Sequence, residues 1–393
     1  MIVKGIANFF QTIYRLYSLK CRIFRARDMK NTIAADLKKD HKEQFASLLL
    51  QWNEKKNKRQ MPWKGEKDPY KIWLSEIILQ QTRVEQGLNY YHRFIEKFPT
   101  IQQLAKAKDP IVFKLWEGLG YYTRCRNLIA TARYIAIDLD GKFPATYNEI
   151  KALKGVGPYT AAAISSFAFN LPHAVVDGNV FRVLSRVFGI DKPIDSTDGK
   201  KYFIHLAEEL LDKNQAGKYN QAIMDFGAVV CKPATPNCTD CVFRKICLAF
   251  KENKINTLPV KEKKVAIKKR WFYYLVIEHD EKIAIQQRTG KDIWNQLYEF
   301  PMIETRENEN IKNILKEAKE KGLLPNGKYE VGTLSVPIKQ QLTHQLINGL
   351  FIKIKVNKKS KATNGQLWIN RDQLENFAFP KLINQYLNAG NDN

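Results

Sequence analysis

The sequence predicts a mainly α-helical region over residues 30–257, a short basic linker at 258–270, and an α+β domain over 271–393. Three observations carry that division. In the first region apolar residues recur at helical spacing, in helix-length segments bounded by Gly or Pro, and strand-like alternation is scarce. Between Lys254 and Arg270, seven Lys or Arg and one Glu surround Pro259, the texture of a linker or of a segment lying along phosphates. Beyond it, Trp271–Glu278 and Lys282–Arg288 read as alternating strands joined by a His-Asp-Glu turn, a hairpin signal.

The elements follow in order. Met1–Met29 carries six Lys or Arg against one acid, Asp28, with apolar residues at helical spacing from Ile2 to Tyr17. It reads as an upstream extension with Met29 as the natural start; a transit peptide and an added DNA- or membrane-contacting helix are the competing readings. Helices are expected at His41–Asn53, Pro69–Thr82, Glu85–Phe98, Pro110–Leu119, Thr123–Leu139, Tyr147–Leu153 and Pro158–Phe169. In the second domain, further strands are expected at Tyr329–Val336 and Gly349–Val356, and helices at Asn310–Lys321 and Arg371–Leu387.

The 393 residues carry a net charge of +24. That excess calls for a polyanionic partner, nucleic acid or an anionic surface. No apolar run approaches the ~18–20 residues needed to cross a bilayer. Four of the six cysteines, Cys231, Cys238, Cys241 and Cys247, fall in one short stretch. Thiols packed into one loop system read as a metal site in a reducing compartment rather than as disulfides. Their x6, x2, x5 spacing has only one Cys-x2-Cys pair, so it disfavours a zinc ribbon and leaves a cubane iron–sulfur cluster as the better fit.

Three further constellations carry chemistry. In Leu153-Lys154-Gly155-Val156-Gly157-Pro158-Tyr159, two glycines make a tight hairpin and Pro158 opens a second helix. Amides of such a hairpin face outward with partial positive charge and suit a phosphate. Asp177, in Val176-Asp177-Gly178-Asn179, is either a plain helix N-cap or a carboxylate held beside a developing cation. Glu76 sits among Ile72, Trp73, Leu79 and Gln80 on neighbouring helix rows, so its carboxyl is partly desolvated and its pKa raised. A general acid works best with a pKa near the working pH. Gln80-Gln81-Thr82 end that helix with three polar side chains suited to base edges.

Together these residues resemble the endonuclease III superfamily of DNA glycosylases, and within it the adenine DNA glycosylases, the MutY family. Met61-Pro62-Trp63, Pro69–Glu76 and Trp116–Tyr122 strengthen the resemblance, which covers the chain from about Lys42 to its C-terminus. It implies a helix-hairpin-helix fold, with a six-helix barrel and an iron–sulfur helical domain flanking a cleft, followed by a Nudix-like domain. It implies one 4Fe–4S cluster on the four cysteines. The implied activity is excision of adenine flipped out of a pair with 8-oxoguanine or guanine in double-stranded DNA. The protein would act as a monomer without membrane attachment, in the compartment that holds the DNA: the nucleoid of a bacterium, or a nucleus or mitochondrion. In the family's pattern Glu76 protonates the adenine ring and Asp177 stabilises the oxocarbenium-like sugar. Tyr159 and Asn179 support them, and Trp63 contacts the bound adenine. Gln81 and Tyr121 enter the base stack, with Gln80, Thr82 and Leu119 beside them, and Gly155 and Gly157 serve the phosphate-binding hairpin.

Bifunctional members carry a Lys where this chain has Tyr159, and a Tyr cannot form their imine. The expectation is therefore a monofunctional glycosylase. The alternatives are a bifunctional glycosylase/lyase and a non-catalytic iron–sulfur DNA-binding module. Arg288–Pro301 looks Nudix-like, but Leu315–Gly322 keeps few of the glutamates that hydrolysis needs, so lesion recognition is expected there instead. The family's 8-oxoguanine loop corresponds to Leu342-Thr343-His344, with Leu342 in place of the usual Phe and Gln340 where a His is common.

Overall fold

The computed structural model describes residues 39–262, 266–325, 328–357 and 366–389. The basic stretch Met1–Met29 lies outside them. The chain divides into two compact units, Met1–Glu76 with Phe143–Lys263 and Ile77–Lys142 with Lys264–Asn393. No helix among the described residues is long and apolar enough to cross a membrane.

The described part of the first unit is helical. Lys39–Lys55 and Ala216–Val229 pack with Gly178–Val187 and Thr197–Leu210 around Phe45, Trp52, Phe203, Phe226 and Phe243. Phe45 stacks on Phe243 with centroids 4.6 Å apart, and Trp52 meets Phe226 edge-on. The helix-hairpin-helix forms as its residues require. Thr146 and Glu149 make a capping box for Tyr147–Ala152. Gly155 turns the chain at φ +82°, a conformation costly for any residue with a Cβ. Pro158 then opens Pro158–Phe169, where its missing N–H costs nothing.

Among the described residues the second unit joins six helices, Val84–Lys97, Ile101–Lys106, Asp109–Trp116, Thr123–Asp138, Ile311–Glu320 and Lys381–Ala389, to an eight-stranded mixed sheet. Its strands are β1 (Lys268–His279), β2 (Lys282–Gln287), β3 (Tyr298–Glu299), β4 (Met302–Thr305), β5 (Tyr329–Leu334), β6 (Ile338–Gln341), β7 (Gln345–Val356) and β8 (Gln366–Asn370). The main path runs β3-β2-β1-β7-β5. β1 and β7 pair in parallel from Lys268↔Gln345 to Glu278↔Lys355. The Trp271–Ile277 segment is a continuous apolar run, not an alternating one, because this central strand is covered on both faces.

Three expected helices need correction. The one expected over Pro110–Leu119 ends at Trp116, because Glu117 leaves the helical region at φ −52°, ψ 132°. Pro69–Thr82 ends at Leu79, since Gln81 adopts φ +55° and cannot continue a right-handed helix. Arg371–Leu387 is broken into a 3-10 turn, Arg371–Asn376, and a helix, Lys381–Ala389. Pro380 explains the break, because the residue before a proline is driven out of the α region. Likewise the strand expected over Tyr329–Val336 stops at Leu334; Pro337 follows, and β6 starts afresh at Ile338.

Candidate active site

Glu76, Tyr159 and Asp177 come together within the first unit, from three separate helices or helix caps. Glu76 is 7% exposed on Pro69–Leu79, between the buried Trp73, Ile72 and Ile77. Burial pushes its carboxyl up to about 7; the Asp177 charge adds to this, and a hydrogen bond from the Tyr159 hydroxyl opposes it. The Tyr159 hydroxyl, in the first turn of Pro158–Phe169, also lies 3.4 Å from Met224 Sδ. Burial and the two carboxylates hold that hydroxyl protonated, well above its usual pKa. It can therefore donate to Glu76 but not act as a base near neutral pH.

Asp177 takes the first of the two roles that the sequence left open, the helix N-cap. It caps Gly178–Val187, with Oδ1 accepting from the backbone N–H of Asn179 at 2.9 Å and of Val180 at 2.8 Å. Oδ2 accepts from Asn179 Nδ2 at 2.8 Å. Burial raises its pKa, while these bonds and the Arg182 charge work against the rise. The cap fixes the carboxylate's position and favours its charged form at a positive helix end.

Behind Asn179 stands Arg182, a buried residue the sequence reading did not single out. Its Nη2 donates to Asn179 Oδ1 and to Gly227 O, both at 2.7 Å, and its Nε donates to Cys231 O at 2.7 Å. One turn on, Arg186 donates to the carbonyls of Lys232, Pro233 and Leu258 and lies 3.6 Å from Cys231 Sγ. The available signal was two arginines spaced i, i+4 among Val180, Val183 and Leu184, a place where solvated charge is out of character.

The four cysteines follow Ala216–Val229 and lie within electrostatic reach of one another. No group of three or more His, Cys, Asp or Glu among the described residues is gathered closely enough to hold a metal ion. Their chemistry nevertheless fits a soft metal cluster: four thiols from one loop, with the Arg186 cation against one sulfur to offset thiolate charge. Burial first, and the neighbouring cysteines after it, push the Cys241 and Cys247 thiols up, to about 12 and about 11. Thiolates here accordingly require cationic partners.

Trp63 is 9% exposed, in the loop before Pro69–Leu79. That loop is tied to the buried Asp225, which accepts from Arg59 at 2.8 Å, Asn57 at 2.9 Å and Lys64 at 3.1 Å. Gly155 and Gly157 are exposed at the hairpin.

The remaining residues expected to serve recognition fall within the second unit. Gln80, Gln81 and Thr82 follow the helix end, with Gln81 exposed. Leu119 is buried; Tyr121 is 45% exposed, and its hydroxyl shares a hydrogen bond with Thr343. A cavity of 430 Å³ is lined by Tyr121, Tyr122, Trp294, Gln340, Thr343 and His344, with Leu342 also on its wall. Arg270 is fixed nearby: it bonds Asp292 and Glu304 with two contacts each and donates to Gln345 Oε1 at 2.9 Å.

The fold places the chain in a class. Residues 74–213 match the HhH-GPD superfamily of base excision DNA repair proteins, and residues 272–389 match the NUDIX domain. The solved structure of a thermostable thymine-DNA glycosylase is similar, at 29% identity and TM-score 0.50, over 54% of this chain and 98% of that one. Two curated relatives are adenine DNA glycosylases of Buchnera aphidicola. That of subspecies Schizaphis graminum is 36% identical over 67% of this chain and 76% of its own length. That of subspecies Baizongia pistaciae is 33% identical over 87% of this chain and 95% of its own length. The chain belongs to the adenine DNA glycosylase family and is a DNA N-glycosylase.

Proposed function

We propose that this chain flips adenine out of a pair with 8-oxoguanine or guanine in duplex DNA and hydrolyses its N-glycosidic bond without cutting the strand. One observation carries the reading: a desolvated Glu76 carboxyl with a pKa of about 7, held beside Asp177 across the Tyr159 hydroxyl. Near neutral pH Glu76 is half protonated and can deliver a proton to the adenine ring as the bond breaks. Asp177, ionised and pinned by its cap bonds, faces the positive charge that develops on the sugar. After departure of the base, Glu76 is a carboxylate suited to managing the incoming water. Two carboxyls with unlike surroundings thus take unlike roles.

Tyr159 offers a hydroxyl where a lyase needs an amine, which supports a monofunctional enzyme. Flipping costs a few kcal/mol, least at a mispair. Gln80, Gln81, Thr82, Leu119 and Tyr121 would stabilise the opened duplex, and Leu342, Thr343 and His344 would read the base opposite. Glu317 and Glu320 pair with Lys321 and Lys316, within or beside their own helix, which favours recognition over pyrophosphate hydrolysis for this domain. Cys231, Cys238, Cys241 and Cys247 would hold a 4Fe–4S cluster. When bound, it supplies a rigid cationic loop rather than a reacting centre. Arg182 and Arg186 orient that loop through Cys231. The net charge of +24 supports a DNA partner for a monomer working wherever its genome is kept.

The test is single-turnover release of adenine from an 8-oxoguanine·adenine duplex by wild type and by Glu76→Gln. Release by wild type alone supports the reading. Release by both removes Glu76 from its role. Release by neither, with tight duplex binding, rejects adenine excision. A borohydride-trapped adduct in high yield would reject the monofunctional assignment.

A further inference from the structure

We propose that Arg124 is a positioning residue: it clamps the turns that carry Gln81 and Tyr121 into the backbone conformation with which those side chains enter the base stack. This rests on the reading above, that both turns face the duplex. Gln81 and Tyr121 each sit in the left-handed region, at φ +55° and +47°, and Tyr121 follows Gly118 and Gly120 at φ +86° and +79°. A side chain in that region is strained and stays there only where its surroundings hold it. Neither side chain is held by burial, since Gln81 and Tyr121 are both exposed.

Arg124 supplies the hold. It belongs to Thr123–Asp138 and is 8% exposed. Its Nη1 donates to Ile77 O at 2.9 Å and Ile78 O at 2.7 Å, the unpaired carbonyl end of Pro69–Leu79 just before Gln81. Its Nη2 donates to Thr82 Oγ1 at 3.2 Å just after Gln81, to Gly120 O at 3.2 Å and to Leu119 O at 3.4 Å just before Tyr121. The guanidinium also lies over the Trp116 and Tyr121 rings, at 5.2 and 5.4 Å. One cation therefore grips both sides of the first turn, the backbone leading into the second, and the inserting ring itself. Only a planar fork reaches acceptors so spread; an ammonium is a point donor. Burial lowers the Arg124 pKa to about 10, so it stays charged at neutral pH.

A double-mutant cycle on the full chain separates positioning from general support. Single-turnover adenine release from the 8-oxoguanine·adenine duplex is measured for wild type, Arg124→Met, Tyr121→Ala and the double variant, with Arg124→Lys alongside. The rate constant reads only active enzyme, and the amplitude reads how much of it is folded. If Arg124 acts through the turns, Arg124→Met slows release roughly 30-fold alone and less than about tenfold in the Tyr121→Ala background, where only the Gln81 turn is left for it to hold. Arg124→Lys should recover only a small part. Costs that multiply in the double variant would overturn the proposal, as would a normal rate for Arg124→Met. So would absence of active enzyme in both Arg124 variants, which would make the residue a requirement of folding. Failure of wild type to release adenine would instead reject the underlying reading.

Discussion

Gly227 lies so close to Asn179 that a Cβ at position 227 would stand 2.6 Å from the Asn179 Cβ. Asn179 in turn donates to Asp177 Oδ2, so one methyl group on the helix Ala216–Val229 reaches the carboxylate through a single neighbour. Gly227→Ala gains about 1 kcal/mol of helix propensity but meets backbone and Cβ atoms that cannot swing away. We expect a net loss of about 1–2 kcal/mol in stability. The single-turnover rate should fall at least ~10-fold, the equivalent of 1.4 kcal/mol at the transition state. Thermal melting together with single-turnover kinetics checks both.

Glu76 is expected to cost stability. Its pKa rises from the ordinary 4.5 to about 7 on folding, so the folded state binds the proton more tightly than the unfolded one. Stability from this group is therefore full below about pH 4.5 and is lost as pH rises through 7. Glu76→Gln removes the buried charge, and at pH 8 it should stabilise the protein by roughly 2–3 kcal/mol. At pH 5 the gain should fall below about 1 kcal/mol. Urea midpoints of both proteins at the two pH values check this; a gain independent of pH would mean that Glu76 is not desolvated.

Arg182 connects the Asp177 cap to the cysteine loop through Asn179 Oδ1 and Cys231 O. Arg182→Met leaves those two acceptors and Gly227 O without their donor. With Arg182 8% exposed, we expect a loss of about 2–4 kcal/mol. Adenine release should slow even in the fraction that stays folded, because Asn179 loses its brace. A rate constant equal to wild type in that fraction would remove Arg182 from the site.

In the second unit, Arg270 is 6% exposed between Asp292 and Glu304, which are themselves about a third exposed. Water screens the two acids once the arginine is gone, so Arg270→Met should cost about 2 kcal/mol rather than the 3–5 of a fully buried broken pair. The effect should appear in urea denaturation and shrink in high salt.

The site was legible in the sequence where chemistry is local. The hairpin at Leu153–Tyr159 announces itself by two glycines and a proline, and Glu76 by the apolar run around it. Asp177 sits before a Gly at an N-cap position, and the structure shows that cap. What stayed hidden depends on partners far along the chain. Arg182 matters because Gly227 and Cys231 come to it, and Arg124 because two turns 40 residues apart meet over it. Sequence spacing contains no such distances. The Arg371–Leu387 helix was misjudged for a local reason, the weight of apolar periodicity against one proline at 380.

The most direct test of the account is the pH dependence of single-turnover adenine release from an 8-oxoguanine·adenine duplex. Glu76 must carry a proton and Asp177 must be ionised. The rate should therefore fall as pH rises through about 7, and fall again on the acid side at a pH above the ordinary Asp value of 3.8. A rate that is flat or rising between pH 6 and about 8.5 would contradict general-acid catalysis by Glu76.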